Sequence, residues 1–266
     1  IGVRLVGSEM CIRDRGNTLW DKFVVKSINN WLKPNGYLLF VHPRGWRQYE
    51  NKIGKLMLSK QILYLNMNNV KMGKKTFKCS TDFDYYLLKN IKPYTTTLIN
   101  DYNNNEYKYN ISKMKYIPNH SIDLVDKHID VSNINGLIRD RSLYGTEKKW
   151  MAKTKTEEYK YPCVYTINKA NEITLWYSNI NEKGHFGKTK YIVSNGYGYL
   201  KDINGHYGCT EWSYYIICDV DDMDDIERCF KNEQFQNLID SVRLTSNKYN
   251  HVILKHLKKN FWKKFL

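Results

Sequence analysis

The residues of this chain whose types and spacing suit chemistry are cationic, polar and aromatic. The loop from Asn179 to Lys190 carries His185, Lys188 and Lys190 around Gly184 and Gly187. Glycine lets a backbone come close to a groove, and lysine or histidine can meet a phosphate or the polar edge of a base. A second loop, Asn195-Gly196-Tyr197-Gly198, offers an amide and a phenol for similar contacts. The same residues also suit a hairpin turn with solvated lysines.

Patterns for other chemistry are weak. Asp82 and Asp84 alternate beside a strand, which is the habit of a solvated edge more than of a metal pair. Asp219, Asp221, Asp222, Asp224 and Asp225 lack the glycine and the closing glutamate of a calcium loop. They read instead as the acidic start of a helix. The seven histidines include no H-E-x-x-H, and the glycines at 196 and 198 are not followed by a phosphate-loop lysine. Cysteines number six; without Cys11 they are Cys79, Cys163, Cys209, Cys218 and Cys229, an odd set with no C-x-x-C. Neither a disulfide framework nor a metal site is expected. Reduced thiols fit a cytoplasmic, nucleoid or nuclear setting.

The formal charge is +15, and leaving out the first fifteen residues removes three arginines and two acids to give +14. A surface this basic favours a polyanion, usually nucleic acid. No apolar run approaches the roughly 18 residues that span a bilayer, so no membrane partner is expected.

The element that positions much of the first half is NTLWDKFVVKSINNWLKPNGYLLFVHPRGWR, residues 17–47. Thr18 and Asp21 form a capping-box pattern. Trp20, Phe23, Val24, Ser27, Ile28, Trp31 and Leu32 then recur every three or four residues, the stripe of one long helix. Lys33-Pro34-Asn35-Gly36 stops it. Tyr37 to Val41 is apolar on both faces and reads as an inner strand covered on two sides. The chain leaves it through His42-Pro43-Arg44-Gly45-Trp46-Arg47, at the strand end where open α/β sheets bind ligands.

This stretch resembles the region just after the catalytic motif of gamma-class, TaqI-like adenine-N6 DNA methyltransferases. The matching residues are Leu19, Trp20, Phe23, Leu32, Lys33, Pro34, Gly36, Val41, Pro43 and Trp46. The likeness returns at 178–192, 201–216 and 261–265, and is thin between 94 and 160. It implies S-adenosyl-L-methionine as cofactor, double-stranded DNA as partner, and methyl transfer to adenine N6 with the base turned out of the duplex. It also implies an aromatic before the last strand of the first domain that stacks on that base. Phe77 falls at this position, with Phe83 the alternative; each also suits a core.

Further along, Glu50 to Ser59 reads as a helix and Gln61 to Met67 as a strand. Asn68 to Lys75 reads as a polar loop, and a strand lies around Tyr85 to Leu88. The resemblance makes these two strands the end of the methyltransferase sheet, one of them antiparallel. Pro93 marks a boundary. Residues 94–120 read as a connector with short strands at Lys108–Ile111 and Met114–Ile117. Helices follow at Ser121–Ile129 and Ile134–Ser142, with Arg139 and Arg141 solvated. From Tyr161 the pattern turns to strands at 161–167, 172–178, 188–194 and 211–217. Helices are expected at 226–230, 234–242 and 249–257.

The expected fold class is α/β plus α+β: the carboxyl half of a Rossmann-like methyltransferase sheet, then a mixed α+β target-recognition domain. The divisions are 1–15, 16–92 for the catalytic-domain part, 93–160 for the connecting region, and 161–266 for DNA recognition. Residues 1–15 contain LVGSEMCIRD, which looks like a translated sequencing adapter and is set aside as an artefact. The family's cofactor loop and its (N/D/S)PP(Y/F/W) tetrad are absent, since none of the five prolines is paired. The expectation is a fragment of a site-specific methyltransferase, with a restriction–modification system as its candidate setting, inactive alone and with no catalytic residue of its own. The alternatives are a non-catalytic DNA-binding specificity module and an unrelated basic nucleic-acid-binding protein.

Overall fold

A computed structural model describes residues 19–195, 197–244 and 249–266. The adapter reading and Thr18 of the capping box therefore lie outside the described residues. The chain divides into two units between Ile122 and Asp123.

In the first unit, α1 (Trp20–Lys26) runs on into a π-helical turn at Ser27–Trp31, where the Leu32 N–H donates to the Ser27 carbonyl at 2.9 Å. The expected single helix thus widens in its second half. Val24, Ser27 and Ile28 are buried, as the stripe requires, while Trp31 is exposed. The turn that follows puts Asn35, not Gly36, in the left-handed region, at φ 64°.

Next come β1 (Tyr37–Pro43), a 3-10 turn at Arg44–Arg47, α2 (Lys52–Leu58), β2 (Gln61–Asn68), α3 (Val70–Phe77) and β3 (Phe83–Lys89). β4 (Thr97–Asn100) and β5 (Glu106–Tyr109) complete a five-stranded sheet of order β1-β3-β2-β4-β5. β3 lies between β1 and β2 and is antiparallel to both, while β4 is parallel to β2. The core gathers Val24, Ile28, Met57, Leu65, Tyr86, Leu88 and Ile99.

Three expectations change here. β1 is an edge strand of this sheet, with Tyr37 and Leu39 exposed, because β3 is its one partner among the described strands. The loop at Asn68–Lys75 is helix α3, capped by the Asn69 side chain, which accepts the Met72 N–H at 3.2 Å. Residues 97–109 are not a connector, for they extend the first sheet by two strands.

α4 (Ile122–His128) lies at the division. The second unit continues with α5 (Arg141–Tyr144), β6 (Met151–Ala152), β7 (Tyr161–Ile167), β8 (Ile173–Ser178), β9 (Lys190–Ser194), β10 (Tyr199–Asp202), β11 (Gly208–Cys209) and β12 (Ser213–Ile217). Helices α6 (Met223–Lys231), α7 (Glu233–Ser241) and α8 (His251–Leu254) follow. Sheets of order β11-β7-β8-β6 and β10-β9-β12 form. The helix expected at Ile134–Ser142 is instead extended at Ile138, which exchanges backbone bonds with Tyr215 at 2.9 and 3.0 Å. Among the described residues no helix is long and apolar enough to cross a membrane.

Candidate nucleic-acid interface

The carboxyl end of β1 is filled by a buried polar cluster. Asp84 enters it from β3, fully buried, and one carboxylate oxygen accepts from Trp46 Nε1 at 2.7 Å and Arg47 Nε at 2.8 Å. Arg47 also donates to the carbonyls of Ile117 and Pro118. Arg44 pairs with Asp82 at 2.7 Å and donates to Asn119 Oδ1 at 2.9 Å. Asp82 and Asp84 are therefore anchors for two arginines and not a solvated edge. His42 stacks on Trp20 at 4.4 Å, and its burial lowers the imidazole pKa to about 4, leaving it neutral. No group of three or more metal-ligating side chains occurs among the described residues.

Phe77 ends α3, half-buried, with its ring edge-on to Phe83 at 4.8 Å. Phe83 itself is buried at the start of β3. Around Phe77, the lysines at 71, 74, 75 and 78 are all exposed, and none has an acidic partner among the described residues.

In the second unit, two side chains read as nucleic-acid contacts lie elsewhere. Lys190 is 0% exposed and pairs with Asp202 at 2.6 Å, also buried. Its ammonium donates to the His185 and Lys188 carbonyls at 3.0 and 3.2 Å. Asp202 accepts the N–H groups of His206 and Tyr207 at 2.7 and 3.0 Å. One ion pair thus braces the loops 179–189 and 203–207. Gly187 N–H donates to the Gly205 carbonyl at 2.8 Å and joins the two loops directly. A Cβ at Gly205 would come within 2.2 Å of Lys188 N, so the contact requires glycine there.

His185 is 1% exposed, bonded to Asp140 and stacked on Tyr215 at 3.7 Å. Burial pushes its imidazole below the ordinary histidine range, with Asp140 opposing. Neither His185 nor Lys190 can reach a phosphate without leaving the core. Both are corrected from contacts to supports in the interior: Lys190 keeps its charge there because the Asp202 carboxylate meets it, and burial favours the neutral ring at His185.

Lys188 is exposed on the braced loop. Tyr197 is 46% exposed, with Lys169 Nζ 5.5 Å from its ring centre. Gly196 between it and Asn195 lies outside the described residues. Asn195 turns inward: its amide donates to the Tyr214 hydroxyl at 3.2 Å and its oxygen accepts Tyr249 N–H at 3.1 Å.

Two clefts emerge that sequence reasoning missed. A cleft of about 210 Å³ is lined by Arg139, Arg141, Asn195, Glu211, Trp212 and Tyr214. Arg141 pairs with Glu147, and Glu211 is held by Thr146, whereas Arg139 has no acidic partner among the described residues. A larger cleft of about 620 Å³ opens between β7, β8 and the braced loops. The signal for it is the lysine and tyrosine content of 155–161, which straddles the expected end of the connecting region and the start of a strand.

The fold and these surfaces define a mixed α/β protein with basic clefts. No family model and no curated protein matches the chain. Among solved structures it is similar to the Type IIL restriction-modification enzyme MmeI in complex with DNA. Identity is 11% and the TM-score 0.44, over 88% of this chain and 40% of that one. The chain thus spans well under two thirds of that enzyme's length, and a likeness so distant assigns neither chemistry nor residues.

Proposed function

We propose that this chain is the carboxyl-terminal part of a site-specific DNA methyltransferase that transfers a methyl group from S-adenosyl-L-methionine to adenine N6. The observation that carries the reading is the order β1-β3-β2, with β3 antiparallel between its neighbours. The LKPNG turn and the Pro43 and Trp46 pair sit at the two ends of β1, where the family resemblance requires them. The basic first unit and the Arg139 cleft support duplex DNA as the partner.

The residues at the carboxyl end of β1 do not fit the cofactor. Trp46, Arg47 and Asp84 close that corner on themselves, so no chemical step is assigned to them. The reading needs a cofactor loop and a catalytic tetrad from other sequence. The test is single-molecule sequencing of genomic DNA from cells expressing the complete reading frame. One short sequence methylated at adenine N6 throughout the genome is the expected result. Unmodified adenines in cells that accumulate the folded protein would leave the DNA-binding specificity module as the better reading.

A further inference from the structure

We propose that the larger cleft of the second unit binds an unpaired nucleotide, base among its rings and phosphate on its lysines. Its volume of about 620 Å³ lies within the range of small-molecule sites. Four of its lining residues, Tyr161, Tyr177, Phe186 and Tyr207, are aromatic and half-buried, so each ring keeps an accessible part. Lys155 and Lys160 stand exposed at the cleft, and no acidic residue lines it. Neither lysine has an acidic partner among the described residues. Lys160 Nζ lies 5.4 Å from the Tyr161 ring centre, which puts positive charge beside a stacking surface.

The walls are set before any ligand arrives. Tyr177 sits on β8 opposite Pro162 of β7, and Phe186 packs at 6.3 Å from Tyr161. Tyr207 is held through its N–H by Asp202, and the Gly187–Gly205 bond fixes the loops to each other. At Gly187, φ 74°, a Cβ would meet nothing within 4 Å, so the backbone there borders open space.

Such a surface selects against a paired base. In a duplex both faces of a base are covered by its neighbours, whereas an unpaired base can lie on an aromatic ring. The ligand chemistry is a base bearing a phosphate, supplied by a free nucleotide or by one residue of a single strand. The inference stands on the second unit alone and does not need the methyltransferase reading.

The experiment uses fluorescence anisotropy with the full chain. Its ligands are a labelled 5′-phosphorylated single-stranded hexamer, competing deoxynucleoside monophosphates, and a labelled duplex. The hexamer should bind, and Tyr207→Ala and Lys155→Ala/Lys160→Ala should each weaken it about tenfold. Tyr207→Phe should keep most of the affinity, and duplex affinity should stay within about twofold. Competition by monophosphates assigns a free nucleotide as sufficient, and its absence assigns the strand; either agrees with the site. Lysines 155 and 160 are exposed, so their substitution tests the cleft without testing the fold. Photo-crosslinks from a 4-thiothymidine hexamer should fall on Tyr161, Tyr177 or Tyr207. No hexamer binding, binding unchanged in the lysine variant, or crosslinks confined to other residues would each overturn the proposal. Duplex affinity that survives when hexamer binding is absent would sink this site and leave the proposed function untouched.

Discussion

At the scale of single residues, the sharpest lesson comes from Lys190. A lysine in KTKYIVS reads as exposed because lysine is rarely fully buried without a partner. Its partner, Asp202, arrives from the far end of a hairpin, and sequence spacing gives no warning of it. His185 misled for the same reason, with Asp140 and Tyr215 both remote in sequence. The pair at Lys190 makes a measurable claim. Lys190→Met should leave Asp202 charged and unpaired in the interior, at a cost of about 3–5 kcal/mol. Lys190→Met/Asp202→Asn removes the charge and keeps an acceptor for one of the two N–H groups of His206 and Tyr207, which bond to different carboxylate oxygens, and should recover part of that loss. Urea unfolding of the two variants decides it. A single variant within about 1 kcal/mol of the parent would mean that the pair is solvated and braces nothing.

At the scale of elements, periodicity was legible where an element is long and one-sided. β7 and β8 bracket the Asn168–Asn171 turn as the sequence implies, with Asn171 at φ 61°. Helices α6 and α7 follow the acidic run with their apolar residues inward. β6 and β11, two residues each, exist through their partners and carry no pattern of their own. Helix α3 was missed because Gly73 and its lysines resemble a loop. Gly73 is there for another reason: a Cβ at that position would lie 1.9 Å from the Thr81 carbonyl, so glycine lets the helix sit on the segment before β3. This placement sets what Phe77 can do. Half-buried against Phe83, it should lose about 1–2 kcal/mol on Phe77→Ala, less than the 3–5 typical of a full core phenylalanine. Thermal unfolding measures this loss. Under the proposed function, fluorescence of 2-aminopurine placed at the methylated position tests whether the ring also meets a turned-out base. A large stability loss with unchanged base extrusion would make Phe77 purely a core residue.

At the scale of the whole molecule, the balance of 42 basic to 27 acidic residues sets a field that attracts polyanions. Much of that charge is neutralised locally, as at Arg44, Arg47, Lys190 and Lys201. The lysines of α3 are not, and they cluster on one short element beside Phe77. Each lysine that meets a phosphate releases a counterion, so log affinity for duplex DNA should fall linearly with log salt. Three substitutions, Lys71→Ala, Lys74→Ala and Lys75→Ala, should leave the fold intact, because the side chains are exposed and alanine favours a helix at least as well. They should weaken duplex binding at low salt and reduce the salt slope by about 2–3, close to one per lysine. Anisotropy of a labelled duplex between about 50 and 200 mM salt measures both quantities. A slope unchanged by the triple substitution would remove α3 from the interface and put the electrostatic contact on other cations, beginning with Arg139.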